Sequence, residues 1–249
     1  MARLYVAGGV RLEGPAGTLE DGDLPGHQGR IALVALAVER RALRRDELAE
    51  VIWDGTLPQQ WSAALNALVS KLRSLVSSTG LDGRSTLPAV GSAYRLVLPP
   101  GSWIDLEDGY RRLDRAEGAI RHADAATAVV EATVAAGILG RLVLPGVDAT
   151  WADDVNRART DALFRCYVAL ARGWTARGDL QLAATVAERA IAVDPYREVA
   201  HRLLVEAELG RGDHAAAARA LGRCERIIGE ELGVAVSPET VQLRHRLER

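Results

Sequence analysis

The stretch QQWSAALNALVSKLRSLVS, residues 59–77, has the apolar periodicity of one amphipathic helix. When the stretch is wound at about 100° per residue, one narrow aliphatic stripe forms from Leu65, Val69, Leu72 and Val76. The opposite face is small, polar and singly basic, and consists of Gln60, Ala63, Ala67, Ser70, Lys71 and Ser74, with Asn66 and Arg73 beside it. Such a helix is either an ordinary amphipathic surface helix or one that enters a DNA major groove.

The segments around this helix favour the second interpretation. Before it, the patterns predict a strand at Arg3–Ala7, a hairpin partner at Val10–Leu12, a loop at Gly14–Gly29, a buried helix at Arg30–Arg40, and a helix at Arg44–Trp53 with Asp46 as N-cap. After it, they predict a loop at Ser77–Ser85 and two strands, Thr86–Val90 and Tyr94–Leu98, around a Gly91–Ser92–Ala93 turn. Strands, three helices and a hairpin in this order make a winged helix-turn-helix.

The distribution of charge agrees weakly with DNA binding. The chain has 249 residues, 48% of them hydrophobic, and a net charge of −2. Residues His27 to Leu98 include 9 basic and 6 acidic residues, a net of +3, whereas the rest from Pro99 includes 20 basic and 23 acidic residues, a net of −3. Affinity for phosphate must therefore come from the placement of charges rather than from their number.

Residues after Pro99–Pro100–Gly101 form a second region. That triplet predicts a short, stiff linker, which gives domains at 1–98 and 104–249 joined by 99–103. In the second domain, Gly178–Asp179 with Ala183 recurs as Gly212–Asp213 with Ala217, a shift of 34, and Asp124 with Ala128 is an earlier copy. A period of 34 is typical of tetratricopeptide helix pairs, in which a small residue lets two helices approach closely. The alternative is a helical bundle with accidental periodicity.

We therefore expect a mainly α protein. Its N-terminal winged helix-turn-helix would carry a small β-sheet and a wing hairpin, and an all-α, tetratricopeptide-like domain would follow.

Three segments of the first region, RRDELAEVIW, ALNALVSKLRSLV and GSAYRL, resemble the OmpR/PhoB-type winged helix. They are most similar to its version in the Streptomyces antibiotic regulatory protein (SARP) family. In the second region, the opening WIDLEDGYRRL and the tail RIIGEELGVAVSPETVQL resemble the family's bacterial transcriptional activator domain, although the tail lacks the first proline of the usual motif. The resemblance implies a homodimer that binds double-stranded DNA and contacts RNA polymerase holoenzyme.

The resemblance also implies which residues contact DNA. The third helix would enter the major groove, Trp53 would pack against a phosphate, Lys71 would contact DNA, and the hairpin tip would reach a minor groove. Together with the exposed helix face, this gives a DNA-binding set of Trp53, Gln60, Ala63, Asn66, Ala67, Ser70, Lys71, Arg73, Ser74, Gly91, Ser92 and Arg95. The sequence departs from the family where Val90 replaces an arginine, so Arg84 or Arg95 would have to substitute for it.

Other chemistry receives little support from the sequence. No GK[ST] follows the glycine-rich loop, and there is no G-x-S-x-G elbow. The five histidines, His27, His122, His201, His214 and His245, are scattered, and Cys166 and Cys224 lie in Ala-rich helical contexts as expected of buried thiols. We expect neither an enzyme nor a cofactor or metal. With no run of 18 apolar residues and no signal-peptide core, we expect a cytoplasmic protein without membrane contact.

Two hypotheses about function follow. In the first, the chain is a sequence-specific transcriptional activator that binds tandem half-sites as a dimer and recruits RNA polymerase, for a biosynthetic gene cluster of secondary metabolism. In the second, it is a helical-repeat interaction adaptor whose winged helix binds DNA weakly or not at all. Val90 and the low charge favour the second hypothesis somewhat.

Overall fold

The computed structural model describes residues 1–247. The chain divides into two compact units, the first made of Met1–Gly109 and Arg141–Arg159, and the second of Tyr110–Gly140 and the residues from Thr160 onward. None of the described helices is long and apolar enough to span a membrane.

The first unit contains seven short strands and four helices before α5 begins. They are β1 Arg3–Tyr5, β2 Arg11–Glu13, β3 Thr18–Glu20, α1 Gly26–Glu39, β4 Leu43–Arg44, α2 Arg45–Trp53, α3 Trp61–Ser78, α4 Gly83–Thr86, β5 Ala89–Val90, β6 Ala93–Tyr94 and β7 Trp103–Ile104.

The larger sheet has the strand order β3-β2-β1-β7, with β7 parallel to β1 and the other pairs antiparallel. Its register aligns one buried residue from each strand, because Leu4 is opposite Leu12 and Ile104, and Leu12 is opposite Leu19. Side chains of successive residues alternate between the faces of a sheet. The aligned row is therefore the part of the sheet that joins the core, together with the continuous buried run Ile31–Ala37 of α1.

Several local predictions are wrong in detail. The segment predicted as a glycine-rich loop contains β3 and the start of α1. The N-cap of α2 is Arg44 rather than Asp46: the Arg44 backbone N–H donates to Glu47 Oε2 at 2.8 Å, while Asp46 lies within the first turn. The strands of the hairpin are also shorter than predicted, at Ala89–Val90 and Ala93–Tyr94, and Thr86, which was predicted to begin the first strand, is the last residue of α4.

A segment distant in sequence completes the first unit. Ala7 forms an antiparallel β-bridge with Val143, and the Gly8 N–H donates to Leu142 O at 2.7 Å. The Asn156 side chain holds the same segment, because its Oδ1 accepts from Val143 N and its Nδ2 donates to Val143 O, both at 2.9 Å. The compact unit thus extends beyond residues 1–98, and the division at 98 and 104 stays a prediction about separately folding domains.

Asp105 connects the end of β1 to the start of α5. Its carboxylate is fully buried, with Oδ1 accepting from Val6 N at 2.8 Å and from Leu106 N at 2.7 Å, and Oδ2 accepting from Ala7 N at 3.2 Å. Burial raises the pKa of this carboxyl group, and the three backbone N–H groups oppose that shift.

The second unit is built from antiparallel helix pairs. Its helices, including the two whose first turns belong to the first unit, are α5 Asp105–Arg121, α6 Ala125–Leu139, α7 Thr150–Ala176, α8 Leu180–Val193, α9 Glu198–Gly210, α10 His214–Arg226 and α11 Pro238–Leu247, with a π-helical turn at Ile227–Glu231. The mainly α fold class, with a small N-terminal β region and a helical domain, is confirmed.

The predicted repeat has a clear structural basis. Ala128, Ala183 and Ala217 are each buried on the second helix of a pair. Each turn before these helices contains a residue with positive φ: Ala123 in the first copy, and a glycine in the other two. The N-cap aspartates differ, since Asp124 accepts from Thr127 N at 3.0 Å and Asp213 from Ala216 N at 2.8 Å, whereas Asp179 makes no side-chain capping bond.

Candidate nucleic-acid interface

Helix α3 has the two faces that its sequence predicts. The stripe of Leu65, Val69, Leu72 and Val76 is fully buried, with at most 2% of any side chain exposed. The face opposite is exposed along its whole length, at Gln60, Ala63, Asn66, Ala67, Ser70, Lys71 and Ser74. Arg73, at its edge, is half-buried.

The turn between α2 and α3 places this face. Trp53, half-buried, ends α2, and Asp54 and Gly55 follow with φ of 46° and 76°. Such left-handed conformations are the usual way to end a helix, and glycine adopts them without a steric cost. The Thr56 N–H then donates to Trp53 O at 2.9 Å, so the chain reverses within a few residues and enters α3.

The hairpin β5–β6 forms an exposed wing. Ala89 pairs with Tyr94 and Val90 with Ala93, which leaves Gly91 and Ser92 as a two-residue turn. Gly91 has a φ of 60° at the first central position, as a type II′ turn requires. Val90 is 53% exposed beside the turn, so an apolar side chain lies at the position where the OmpR/PhoB-type pattern leads one to expect an arginine.

Tyr94 connects the wing to α3 and α2. Its hydroxyl donates to Asn66 Oδ1 at 3.0 Å and lies 3.4 Å from Arg45 Nη1. The guanidinium carbons of Arg45 and Arg73 are each 5.8 Å from the centre of its ring, within the range of a cation–π interaction. Arg45 also donates to Ser62 Oγ at 2.9 Å. One buried phenol therefore fixes the position of the hairpin relative to the exposed helix.

Arg73 has a structural role that the sequence did not predict. Its Nε and Nη2 both donate to Leu87 O, at 2.9 and 2.7 Å, and so connect α3 to the segment just before the wing. These two donors are the fork with which an arginine would otherwise grip a phosphate. A DNA contact by Arg73 would therefore have to use the two N–H groups of Nη1 and the second N–H of Nη2.

The charged residues between Trp61 and Leu98 are mostly basic. Asp82 is the only acidic residue between Trp61 and Leu98. It caps α4 by accepting from Ser85 N at 2.7 Å, and that backbone hydrogen bond lowers its pKa. Lys71, Arg84 and Arg95 are exposed, and within residues 1–247 their side chains have neither an ion pair nor a hydrogen bond. Phosphate oxygens are the natural partners of such cations.

The exposed face has a limited capacity to read bases. Ala63 and Ala67 carry only methyl groups, and Ser74 Oγ donates to Ser70 O of its own helix at 3.2 Å. Asn66 Oδ1 accepts a hydrogen bond from the Tyr94 hydroxyl. A bidentate contact to adenine needs both amide atoms of an asparagine, so this bond competes with base recognition by Asn66. The polar groups of Gln60, Ser70 and Lys71 are exposed and can still hydrogen-bond to bases.

The structure thus brings most of the predicted DNA-binding residues together, on the exposed face of α3 and on the wing. Gln60, Ala63, Ala67, Ser70, Lys71 and Ser74 share one exposed face, and Gly91, Ser92 and Arg95 lie on the wing. Arg45 and Tyr94 were missed as organising residues, although the Y-R-L signature contained Tyr94. Arg45 could not be found from a local sequence pattern, because its contact with Tyr94 joins residues 49 positions apart.

Other chemistry finds no site in the part of the chain that the structure describes. No group of three His, Cys, Asp or Glu side chains among residues 1–247 could hold a metal ion. Both cysteines are buried and unpaired, and burial raises the pKa of Cys166 to about 12 and that of Cys224 to about 11. His201 is buried, with Nε2 at 2.9 Å from Pro195 O, and burial lowers its pKa.

The second region matches a known family, and most of the chain is similar to a known regulatory protein. Residues 104–248 match the bacterial transcriptional activator domain family. The chain is 25% identical over 230 residues to the transcriptional regulatory protein MoaR1 of Mycobacterium tuberculosis, which covers 88% of this chain and 71% of MoaR1, and it is equally similar to MoaR1 of Mycobacterium bovis.

One solved structure shares the whole fold. The structure of Mycobacterium tuberculosis EmbR in complex with a low-affinity phosphopeptide superimposes with a TM-score of 0.87 at 22% identity, over 100% of this chain. This chain spans 65% of the length of that EmbR chain. With most of its length matched by one family model, the chain belongs to the bacterial transcriptional activator domain family and is a SARP-type transcriptional regulator.

Proposed function

We propose that this protein activates transcription by placing α3 in the major groove of promoter DNA, with the β5–β6 wing over the adjacent backbone. The observation that carries the proposal is the exposed face of α3. It is free of acidic residues, small enough for close approach to base pairs, and includes Lys71, whose side chain makes no ion pair or hydrogen bond among residues 1–247. The exposed face of an ordinary surface helix usually carries acidic as well as basic residues.

Within this proposal, two copies bind tandem half-sites about one helical turn apart, as repeated modules on DNA do. The helical domain provides the dimer contact and recruits RNA polymerase holoenzyme, and the regulated genes belong to a biosynthetic cluster. The family is one of transcription regulators rather than of enzymes, and MoaR1 is named as one. The protein would act in the cytoplasm, where bacterial promoters lie.

Sequence specificity in this proposal rests on few base contacts. A good bidentate pair contributes about 1–3 kcal/mol of discrimination, and Gln60 and Lys71 are the long side chains on the face that are free to make one. The remaining specificity would come from paired half-sites and from DNA deformability. A selection from random DNA should show only scattered strict positions; five or more consecutive, strictly required base pairs would contradict this reading.

The direct test is DNA affinity of the full chain for a duplex from the region upstream of its own gene. Lys71→Ala should weaken binding about five- to tenfold and lower the salt slope by about one, because one phosphate contact is lost. Arg189→Ala is the matched control, since Arg189 is an exposed cation on α8 of the second unit. Arg249, the more obvious choice at the chain end, lies outside the described residues.

The adaptor hypothesis remains the second candidate, because Val90 is exposed at the wing tip and Arg73 is bonded to Leu87. Both features reduce the cationic contacts available to a phosphate backbone. Wild-type protein that fails to shift the upstream duplex at low salt would favour the adaptor. Binding that is equal in wild type and Lys71→Ala would refute the assignment of α3 as the reading helix.

A further inference from the structure

A groove in the second unit is lined by one stripe from each of three helices. Residues spaced three or four apart share one face of a helix. Glu117, Ile120 and Arg121 form the stripe of α5, Arg165, Val168 and Arg172 that of α7, and Val199, Arg202 and Glu206 that of α9. These are the first helices of consecutive pairs, so the groove runs across the three pairs.

The groove consists of two adjoining cavities. One has a volume of about 450 Å³ and the other of about 330 Å³, and both are lined by Arg172 and Val199. Volumes of this order accommodate several side chains of a bound segment. The floor is apolar, because Ile120, Val168 and Val199 are half-buried there and the Phe164 ring lies beneath them.

Some arginines of the groove are already neutralised. Arg165 makes a bidentate pair with Glu117, with Nε and Nη2 at 2.8 and 2.7 Å from the carboxylate oxygens. Arg197 pairs with Asp161 at 2.6 Å, and its guanidinium carbon is 4.0 Å from the centre of the Phe164 ring. These contacts hold the walls of the groove in place.

Two other arginines are not neutralised. Arg121 and Arg172 line the larger cavity and are exposed, and across residues 1–247 neither side chain makes an ion pair or a hydrogen bond. This is unusual in a region that carries a net charge of −3, where most of the neighbouring arginines have a carboxylate partner. An unpaired guanidinium presents a planar fork that matches a carboxylate.

We propose that this groove binds an acidic peptide segment of another protein, with Arg121 and Arg172 receiving carboxylates and the apolar floor receiving an aliphatic side chain between them. The charge of the groove selects an anion, and the apolar floor selects a partner with side chains to bury. A DNA duplex meets the second condition poorly, because its charged outer surface offers no aliphatic side chain to bury against the apolar floor. The proposal is independent of DNA binding by α3.

The test uses the full chain and a fluorescein-labelled peptide of about ten residues, composed of glutamates with two central leucines. Its matched probe replaces every glutamate with glutamine. We expect the affinity of the acidic peptide to be at least about tenfold higher than that of the glutamine peptide. Arg121→Glu and Arg172→Glu should each weaken it about tenfold, and Arg189→Glu, an exposed cation outside the groove, should change it by less than about twofold.

Each alternative gives a different result. Equal weakening by Arg189→Glu would show that the peptide responds to overall charge, and would overturn the proposal. Displacement of the peptide by an unrelated short duplex would show a phosphate site instead of a peptide site. Unchanged thermal unfolding and unchanged affinity for the upstream duplex in Arg172→Glu would exclude misfolding, and recovery of binding in Arg172→Lys would support the charge requirement.

Discussion

The two units of this protein are stabilised in different ways. In the first, two polar side chains hold backbone groups in place: Asp105 accepts from Val6 N and Ala7 N, 99 and 98 positions away, and Asn156 bonds to Val143, 13 positions away. In the second, the same small residue recurs at the contact between neighbouring helices, at Ala128, Ala183 and Ala217. Stability should therefore depend on a few residues in the first unit and be shared among repeats in the second. The following predictions test that contrast.

The largest effect is expected for Asp105→Ala. The substitution leaves three buried backbone N–H groups without an acceptor, and each such group costs about 1–3 kcal/mol. The free energy of unfolding, measured by urea denaturation of the full chain, should fall by about 3 kcal/mol or more. Asp153→Ala, which removes an exposed aspartate from the first turn of α7, should cost well under half of that. Similar losses of stability in the two variants would contradict the idea that the first unit depends on a few residues such as Asp105.

Ala183→Leu should have the next largest effect. Ala183 is 1% exposed, so a larger side chain must push two helices apart, at a cost of about 1–3 kcal/mol. Ala192→Leu on the exposed side of the same helix is the matched control and should change stability by only a few tenths of a kcal/mol. Thermal unfolding of the three proteins measures the difference, and an equal cost at both positions would rule out close helix packing at Ala183.

Glu198 makes the second unit sensitive to acid. Burial opposes its ionisation, but hydrogen bonds from Thr240 and Ser237 outweigh burial and lower the pKa of Glu198 below its ordinary 4.5. Because the folded pKa is the lower one, this stabilisation is complete above pH 4.5 and is lost as the pH falls through the folded value.

Glu198→Gln removes this titration. The wild type should lose about 1–2 kcal/mol more stability than the variant when the pH is lowered from 6 to about 3. Urea titrations at several pH values give the comparison. Glu206→Gln, an exposed neighbour on the same helix, should follow the wild type. Parallel curves for wild type and Glu198→Gln would show that the carboxylate contributes no stability in this window.

The smallest effect separates the copies of the repeat. Asp213 caps α10 through Ala216 N, whereas Asp179, at the same position of the preceding copy, makes no capping bond. Asp213→Ala should therefore cost about 1 kcal/mol, and Asp179→Ala only a few tenths. Equal losses in thermal unfolding would mean that the two turns behave alike in solution.

Sequence patterns predicted what is local and periodic. The stripe of α3, the all-round apolar α1 and the repeat of 34 residues were all correct, because each depends on residues a few positions apart or on a repeated packing contact. The same holds for the exposed face of α3, which follows from the buried face once the helix is known.

What was missed depends on distant pairs. Pairing between β1 and β7 joins residues about 100 positions apart, and β3 was hidden because glycine-rich flanks made Thr18–Glu20 look like loop. The acid-free surface could have been read from the sequence, whereas the bonds of Arg73 to Leu87 and of Tyr94 to Asn66 could not. Which basic side chains remain available to contact DNA is therefore decided by the packing of the wing against α3, and not by the amino-acid composition of either segment.

The segment at residues 141–159 also has a consequence for how such proteins can be recombined. The first two copies of the repeated aspartate, Asp124 and Asp179, are 55 residues apart, whereas the next interval is 34. The excess lies in an insertion whose residues pack with the first unit. A single crossover between β1 and this insertion would therefore leave one parent's insertion against the other parent's β1. Functional chimaeras should require that residues 1–109 and 141–159 come from the same parent.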